Sequence, residues 1–255
     1  DESTTWKREY LALHVTDEES AVIPEFAKFK AVIVREVGRP ELFDAYAGMD
    51  VGWSPDFTGV LWGFWHFEEA TLVIEHELLM RKMNTELLAT EVDRIESEFY
   101  RDQGRCEENA REPQPYMRVS DNDLRLISDL ATDHGLLFCP TQKDDKDAAI
   151  NNLRLMVQGT KGKLLIHPRC VRLIAQLENA VWNKARTEYE RSARDGHYDL
   201  VDALIYLARN LNRQKNPVPA ARARRRDRAT THDARGPSRH LTGTAKALAR
   251  RFGFK

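Results

Sequence analysis

Tyr46-Ala47-Gly48-Met49-Asp50-Val51-Gly52 is a short apolar run ended by turn residues, with one carboxylate inside it. It reads as a strand, and the segments after it extend the pattern. Thr58 to Phe67 and Thr71 to Leu79 are rich in Val, Ile, Leu and aromatic residues. His66-Phe67-Glu68-Glu69-Ala70 supplies the turn between them. The spacing predicts three consecutive antiparallel strands. Thr85 to Tyr100 then repeats Leu87, Leu88, Val92, Ile95 and Phe99 at helical spacing, with Thr85 as the expected N-cap.

Beyond this meander, strand and helix alternate. Tyr116–Ser120, Leu136–Pro140 and Leu164–His167 read as strands. Asn122–His134, Lys146–Gln158, Pro168–Asn183 and Tyr198–Leu211 read as helices, and Gly135 is the expected stop of the first. The expected fold is therefore α/β, a mixed β-sheet with helices on both faces. The strands bearing Asp50 and Asp121 are expected to lie side by side. On the N-terminal side, Trp6 to Leu11 suits a short helix, and Val22-Ile23-Pro24-Glu25 reads as extended because Ile23 precedes proline.

The 255 residues, 42% hydrophobic and 31% charged, suit one good-sized domain with appendages. The reading divides them into a lead-in segment over 1–44, a body over 45–212 and a tail over 213–255. No run approaches the length of a membrane helix. The start, Asp1-Glu2-Ser3-Thr4-Thr5-Trp6, has neither an initiator Met nor a signal pattern. A soluble intracellular piece of a longer chain is expected. The three cysteines, Cys106, Cys139 and Cys170, are widely spaced, which argues against a disulfide framework and a cysteine-based zinc site.

Charge is unevenly placed. The net charge is −1, yet the tail holds 13 Lys/Arg against 2 Asp/Glu, while the other 212 residues hold 26 basic against 38 acidic. The tail's composition reads as disordered, apart from a possible short helix over Thr244–Phe252. Arg222, Arg224, Arg225, Arg226 and Arg228 stand close together in it. A basic tail on an acidic body suits a polyanionic partner.

Three acidic positions carry the chemical reading. Asp50 lies inside the first strand, and Asp121 ends the strand Met117-Arg118-Val119-Ser120. Asp202 lies on the apolar helix His197-Tyr198-Asp199-Leu200-Val201-Asp202-Ala203-Leu204-Ile205-Tyr206. Asp199 and Asp202, three apart, share a helix face. A carboxylate in a central strand is costly unless paired or bound to metal. Converging carboxylates repel one another, and Mg²⁺ or Mn²⁺ relieves that repulsion. Two such ions about 4 Å apart suit phosphodiester hydrolysis. Each acid also has a duller reading. Asp50 can cap a turn beside Gly52, Asp121 can be the N-cap of the next helix, and Asp199 and Asp202 can complement a helix dipole.

The order of these acids is similar to that in the RNase H-like nuclease superfamily. Within it, the phrases resemble the nuclease domain of tailed-bacteriophage terminase large subunits. Gly48-Met49-Asp50-Val51-Gly52 with Asp56-Phe57-Thr58-Gly59 resembles the family's first motif. Val119-Ser120-Asp121 with Leu126-Ile127-Ser128-Asp129-Leu130 resembles the second, and His197 to Tyr206 the third. Trp6-Lys7-Arg8-Glu9-Tyr10-Leu11, with Ile23-Pro24, resembles the stretch that joins the packaging ATPase to the nuclease. The resemblance runs from about Thr5 to Asn210, and its third motif is the most specific.

The resemblance implies a metal-dependent DNA endonuclease that cuts concatemeric viral DNA during packaging in the host cytoplasm. It implies Asp50, Asp121 and Asp202 as catalytic metal ligands for two Mg²⁺ or Mn²⁺ ions, with Asp199 as a further candidate ligand. Double-stranded DNA, the viral portal, the small terminase subunit and an ATPase domain of the same polypeptide are the implied partners, and no membrane. The motor itself is not expected here. Gly159-Thr160-Lys161-Gly162-Lys163 is the nearest phrase to a phosphate-binding loop, and its spacing and ending are wrong.

Two further residues are candidates: Lys143, at a strand end, for a phosphate contact, and His197 for proton transfer. A surface lysine near the acidic run Asp144-Asp145-Lys146-Asp147 is the plainer reading of Lys143, and a structural histidine that of His197. Rival functions are a RuvC-like junction resolvase or transposase-like nuclease, and a non-catalytic module that docks DNA or the portal. The Trp6 to Pro24 segment disfavours the first, and the presence of all three acids disfavours the second.

The tail makes a test of its own. Phosphate contacts by its arginines release counterions, so DNA binding through it depends steeply on salt. Deleting residues 217–255 is expected to weaken DNA affinity and flatten its salt dependence, measured at two salt concentrations. Unchanged affinity and slope would reject the DNA role and leave docking to the portal or another packaging subunit, or simple disorder.

Overall fold

The structure is a computed structural model that describes residues 20–40, 43–52, 56–101, 114–190 and 197–214, with the side chains of 99–101 excepted. The expected helix over Trp6–Leu11, and the tail with its arginines, lie outside the described residues. The elements run α1 Glu25–Ile33, β1 Ala45–Asp50, β2 Phe57–His66, β3 Thr71–Arg81, α2 Thr85–Arg101 and β4 Met117–Ser120. They continue α3 Leu124–Asp133, β5 Cys139–Pro140, α4 Lys146–Val157, β6 Lys163–Ile166, α5 Val171–Asn179 and α6 Asp199–Asn210.

One six-stranded mixed sheet, ordered β5-β4-β1-β2-β3-β6, organises them. The meander β1-β2-β3 is antiparallel, as the alternation predicts. β4 joins β1 in parallel, β5 joins β4, and β6 joins β3 at the other edge, all parallel. The strands expected to be neighbours, those of Asp50 and Asp121, are neighbours.

The pleat sorts side chains to two faces. Tyr46, Leu61, Leu72 and Ile74 pack with Leu153, Leu173, Leu200 and Leu204, so one face is covered by α4, α5 and α6. Ala47, Met49, Val60 and Trp62 pack with Leu88, Val92, Leu126 and Leu130 of α2 and α3 on the other. That second face holds a buried ion pair. Glu96 of α2 accepts from Arg118 of β4 through both oxygens, at 2.9 and 2.5 Å, and from Trp62 Nε1 at 3.0 Å. A buried pair carries a desolvation cost that only such complete pairing offsets.

Helix α6 lies unusually close to the sheet, and two glycines permit it. A Cβ on Gly48 would sit 2.6 Å from Ala203 O and 2.8 Å from Leu207 Cβ. A Cβ on Gly59 would sit 3.0 Å from the backbone carbon of Asp199. Gly48 and Asp50 are two apart on β1, so Asp50 faces the same side as α6.

Several boundaries differ from the sequence reading, each for a local reason. Ile23 does sit in non-helical chain, but Pro24 is the N-cap of helix α1, where its fixed φ of −61° leads into the helix. Val22, Ile23, Phe26 and Ile33 are buried in the core with α4 and α5. Arg154 of α4 pairs with Glu25 at 2.6 Å and Lys30 with Glu178 at 2.6 Å. Asn84, not Thr85, caps α2, its Oδ1 accepting from Leu87 N at 2.7 Å. Helix α5 starts at Val171 rather than Pro168. Its first amides, Arg172 N and Leu173 N, are satisfied by Glu77 of β3 at 2.8 and 2.7 Å, a long-range cap with no local signature. It ends at Asn179, and Val181 and Trp182 form bridges to Ala21 and Tyr189 instead. Among the described residues no helix is long and apolar enough to cross a membrane.

Candidate active site

The C-terminal ends of β1 and β4 and the first turn of α6 meet at one place. β4 runs beside β1 with Gly48 opposite Val119 and Met49 opposite Ser120, and Asp121 N donates to Met49 O at 3.1 Å. One step further along this register stand Asp50 and Asp121. The turn into α6 brings the other two acids. Tyr198 takes the left-handed conformation, φ +64°, and its carbonyl accepts from Val201 N at 2.8 Å. The buried Gln176 of α5 takes Leu200 N at 2.9 Å, and Tyr198 OH donates to Asn179 O at 2.8 Å. A non-glycine residue with positive φ costs about 1–3 kcal/mol and persists where its surroundings over-determine it.

Asp50 keeps some solvent exposure as a residue, but its carboxyl is crowded on most sides. Burial, then the charges of Asp202, Asp199 and Asp121, push its pKa well above the usual carboxylate value, and Lys143 opposes them. Asp50 therefore feels all three other acids. Tyr206 stands near Asp50, and its hydroxyl pKa is raised by burial and then by Asp50, Asp202 and Asp121. Asp199 is 3% exposed, and among the described residues its Oδ2 has no hydrogen-bond partner. Burial first, then Asp202 and Asp56, raise its pKa to about 7 against the pull of its own and the His197 backbone amides.

The duller readings fare unequally. Asp121 is not the cap of α3, because Asp123 takes that role with Oδ1 accepting from Leu126 N at 3.1 Å. Asp121 Oδ1 instead lies 2.5 Å from Lys143 Nζ and accepts from Asn122 N. Asp199 and Asp202 do occupy the first turn of α6, where the helix dipole favours acids. That does not account for their shared proximity to Asp50.

Of the secondary candidates, Lys143 is at the acidic cluster and His197 contributes its backbone amide. Among the described residues the His197 imidazole has no hydrogen-bond partner. The sequence reading missed three residues. Tyr206 sits one turn after Asp202 within the quoted third motif, a spacing that could have flagged it. Lys146, quoted only as a member of the acidic run beside Lys143, reaches Asp202 Oδ2 at 3.2 Å. Tyr189, in a loop without periodicity, donates its hydroxyl to Asp202 Oδ1 at 2.8 Å.

Divalent cations fit this donor set chemically. All four acids offer oxygen, their mutual repulsion is only partly relieved at Asp50, and among the described residues one buried Asp199 oxygen has no donor. Among the described residues no three His, Cys, Asp or Glu side chains are arranged to hold an ion as they stand. Ammonium groups sit against Asp121 and Asp202 instead.

No family model and no curated protein matches the chain. Solved structures do. The large terminase of a thermophilic bacteriophage, solved with ATP-γ-S, is similar at a TM-score of 0.54 and 16% identity, over 81% of this chain and 49% of that one. The large terminase nuclease domain of P22 is similar at a TM-score of 0.52 and 12% identity, over 69% of this chain and 86% of that one. The chain thus has the RNase H-like fold of terminase nuclease domains, and it spans about half the length of the thermophilic phage protein.

The raised carboxyls make a stability prediction. A carboxyl whose pKa is higher folded than unfolded binds more protons in the native state, so its stability contribution falls as pH rises between the two values. For Asp199 that window runs from 3.8 to about 7. Metal-free protein is expected to lose stability across it, and Asp199→Asn to recover part of the loss, on the order of a few kcal/mol at most. Urea denaturation with chelator at pH 5 and pH 8 measures this. An Asp199→Asn protein no more stable than wild type at pH 8 would contradict it.

Proposed function

We propose that the chain is the nuclease domain of a bacteriophage terminase large subunit, a metal-dependent endonuclease that cuts concatemeric viral DNA during packaging. The observation that carries this reading is the gathering of Asp50, Asp121, Asp199 and Asp202 where β1, β4 and α6 meet, with Asp50 raised by all three others. The likeness in fold to the thermophilic phage and P22 proteins supports it.

Asp50, Asp121 and Asp202 are the proposed ligands of two Mg²⁺ or Mn²⁺ ions, with Asp199 as a further ligand through its partnerless oxygen. Bound there, the ions would supply Lewis acidity toward a phosphodiester and a water of lowered pKa. The protein's own groups prepare the site. Tyr206, which feels the charges of Asp50, Asp202 and Asp121, is the proposed group that orients Asp50. Lys143, 46% exposed and 2.5 Å from Asp121, is free to turn toward a phosphate of the bound strand once the acids are neutralised otherwise. His197 is the proposed proton-transfer group at the start of the helix turn. Double-stranded DNA is the proposed substrate. The ATPase domain of a longer polypeptide, the portal and the small subunit are the proposed partners, and the arginine-rich tail a proposed DNA contact.

Plasmid cleavage tests this. Linearisation and degradation are expected with Mn²⁺ or Mg²⁺ and none with chelator, with little sequence preference. Asp50→Ala, Asp121→Ala and Asp202→Ala are each expected to lower the rate at least about 100-fold, a loss of roughly 3 kcal/mol in transition-state stabilisation, with the fold intact. Asp199→Ala is expected to lose as much or less. Full activity in Asp50→Ala would contradict the assignment.

A further inference from the structure

The two oxygens of Asp202 have different partners. Oδ1 accepts from Tyr189 OH at 2.8 Å, and Oδ2 lies 3.2 Å from Lys146 Nζ. The partners also differ in how firmly they are held. Tyr189 is 4% exposed. Its ring centroid lies 5.3 Å from that of Trp182 and 6.1 Å from that of Tyr198, the latter pair crossing at 83°.

Its backbone is fastened as well. Trp182 and Tyr189 form an antiparallel bridge. Asn183 N donates to Glu188 O at 2.9 Å, and Glu190 N to Val181 O at 2.8 Å. Tyr198, against which the ring packs, is the residue that turns the chain into α6. The hydroxyl and the backbone of Asp202 are therefore fixed relative to one another. Lys146 is the opposite case. It is 46% exposed on a four-carbon stem, with its ammonium 4.1 Å from the Tyr189 ring centroid.

We infer that Tyr189 is a positioning residue: it immobilises Asp202 through Oδ1 and leaves Oδ2, covered by the exchangeable ammonium of Lys146, as the oxygen offered to a divalent cation. The inference rests on the metal-dependent reading of the site. A hydrogen bond to one oxygen of a ligating carboxylate stops it turning, so less freedom is lost when the ion binds. Such supporting contacts are typically worth 10–100-fold in metal affinity. Without the hydroxyl, the carboxylate can rotate and engage Lys146 through both oxygens, which strengthens the competitor.

Calorimetric titration of Mn²⁺ into wild type, Tyr189→Phe and Lys146→Gln, with thermal melting of each metal-free protein, tests this. Phe keeps the ring contacts and the ammonium–ring contact and removes only the hydroxyl. Tyr189→Phe is expected to weaken Mn²⁺ binding about tenfold or more with little change in Tm. Its deficit in DNA cleavage should shrink as Mn²⁺ is raised. Lys146→Gln is expected to bind Mn²⁺ at least as tightly as wild type.

Equal Mn²⁺ affinity in Tyr189→Phe and wild type would overturn the positioning role alone, as would a cleavage deficit that persists at saturating Mn²⁺. Absence of Mn²⁺ binding by wild type would remove the metal reading itself, and this inference with it. Should Tyr189→Phe melt without cooperativity, Lys146→Gln decides: equal or tighter binding supports the account, and weaker binding overturns it.

Discussion

Helix α6 can press on the sheet because positions 48 and 59 carry no side chain. At Gly48 a Cβ would meet backbone oxygen and a Leu207 carbon well inside contact distance. Backbone cannot move aside as a flexible side-chain tip can, so any larger residue would lift the helix. The half of the acidic cluster that α6 supplies depends on that approach. It sets the first turn of α6 over the end of β1 and carries Asp199 and Asp202 to Asp50. The left-handed Tyr198 and the Gln176 contact to Leu200 N fix the helix start in the same place.

The arrangement works against folding stability. Four carboxylates share a crowded site, and both Asp50 and Asp199 are raised by burial and by their neighbours. The remainder of the molecule must carry that cost. It does so with two apolar layers on either side of the sheet and with buried polar contacts whose partners are complete, such as Glu96 between Arg118 and Trp62. Natural proteins break local rules where function lies and compensate elsewhere. The lysines at Asp121 and Asp202 offset part of the repulsion, and a divalent cation would offset more.

Much of this was legible in the sequence, and the rest was not for physical reasons. The strands and the later helices were readable because period-2 and period-3.6 patterns report which face is buried, and both faces here are. Asp50 stood out because a carboxylate inside an apolar strand is costly. Asp121 was ambiguous, since it also reads as the N-cap of the next helix, and only the structure gives that role to Asp123. Helix α1 was hidden by a proline that correctly marks Ile23 as non-helical and also begins a helix. The start of α5 depends on Glu77, nearly a hundred residues away. Lys146 and Tyr189 act on Asp202 only through tertiary contact, so neither had a sequence signature.

The central claim is that the four carboxylates form a centre for divalent cations. Anomalous diffraction from crystals of the protein soaked in Mn²⁺ tests it most directly. The account predicts Mn²⁺ peaks ligated by Asp50, Asp121 and Asp202, with the ammonium groups of Lys143 and Lys146 moved off their carboxylates. Saturating Mn²⁺ that leaves this cluster without a peak and both lysines in place would contradict it.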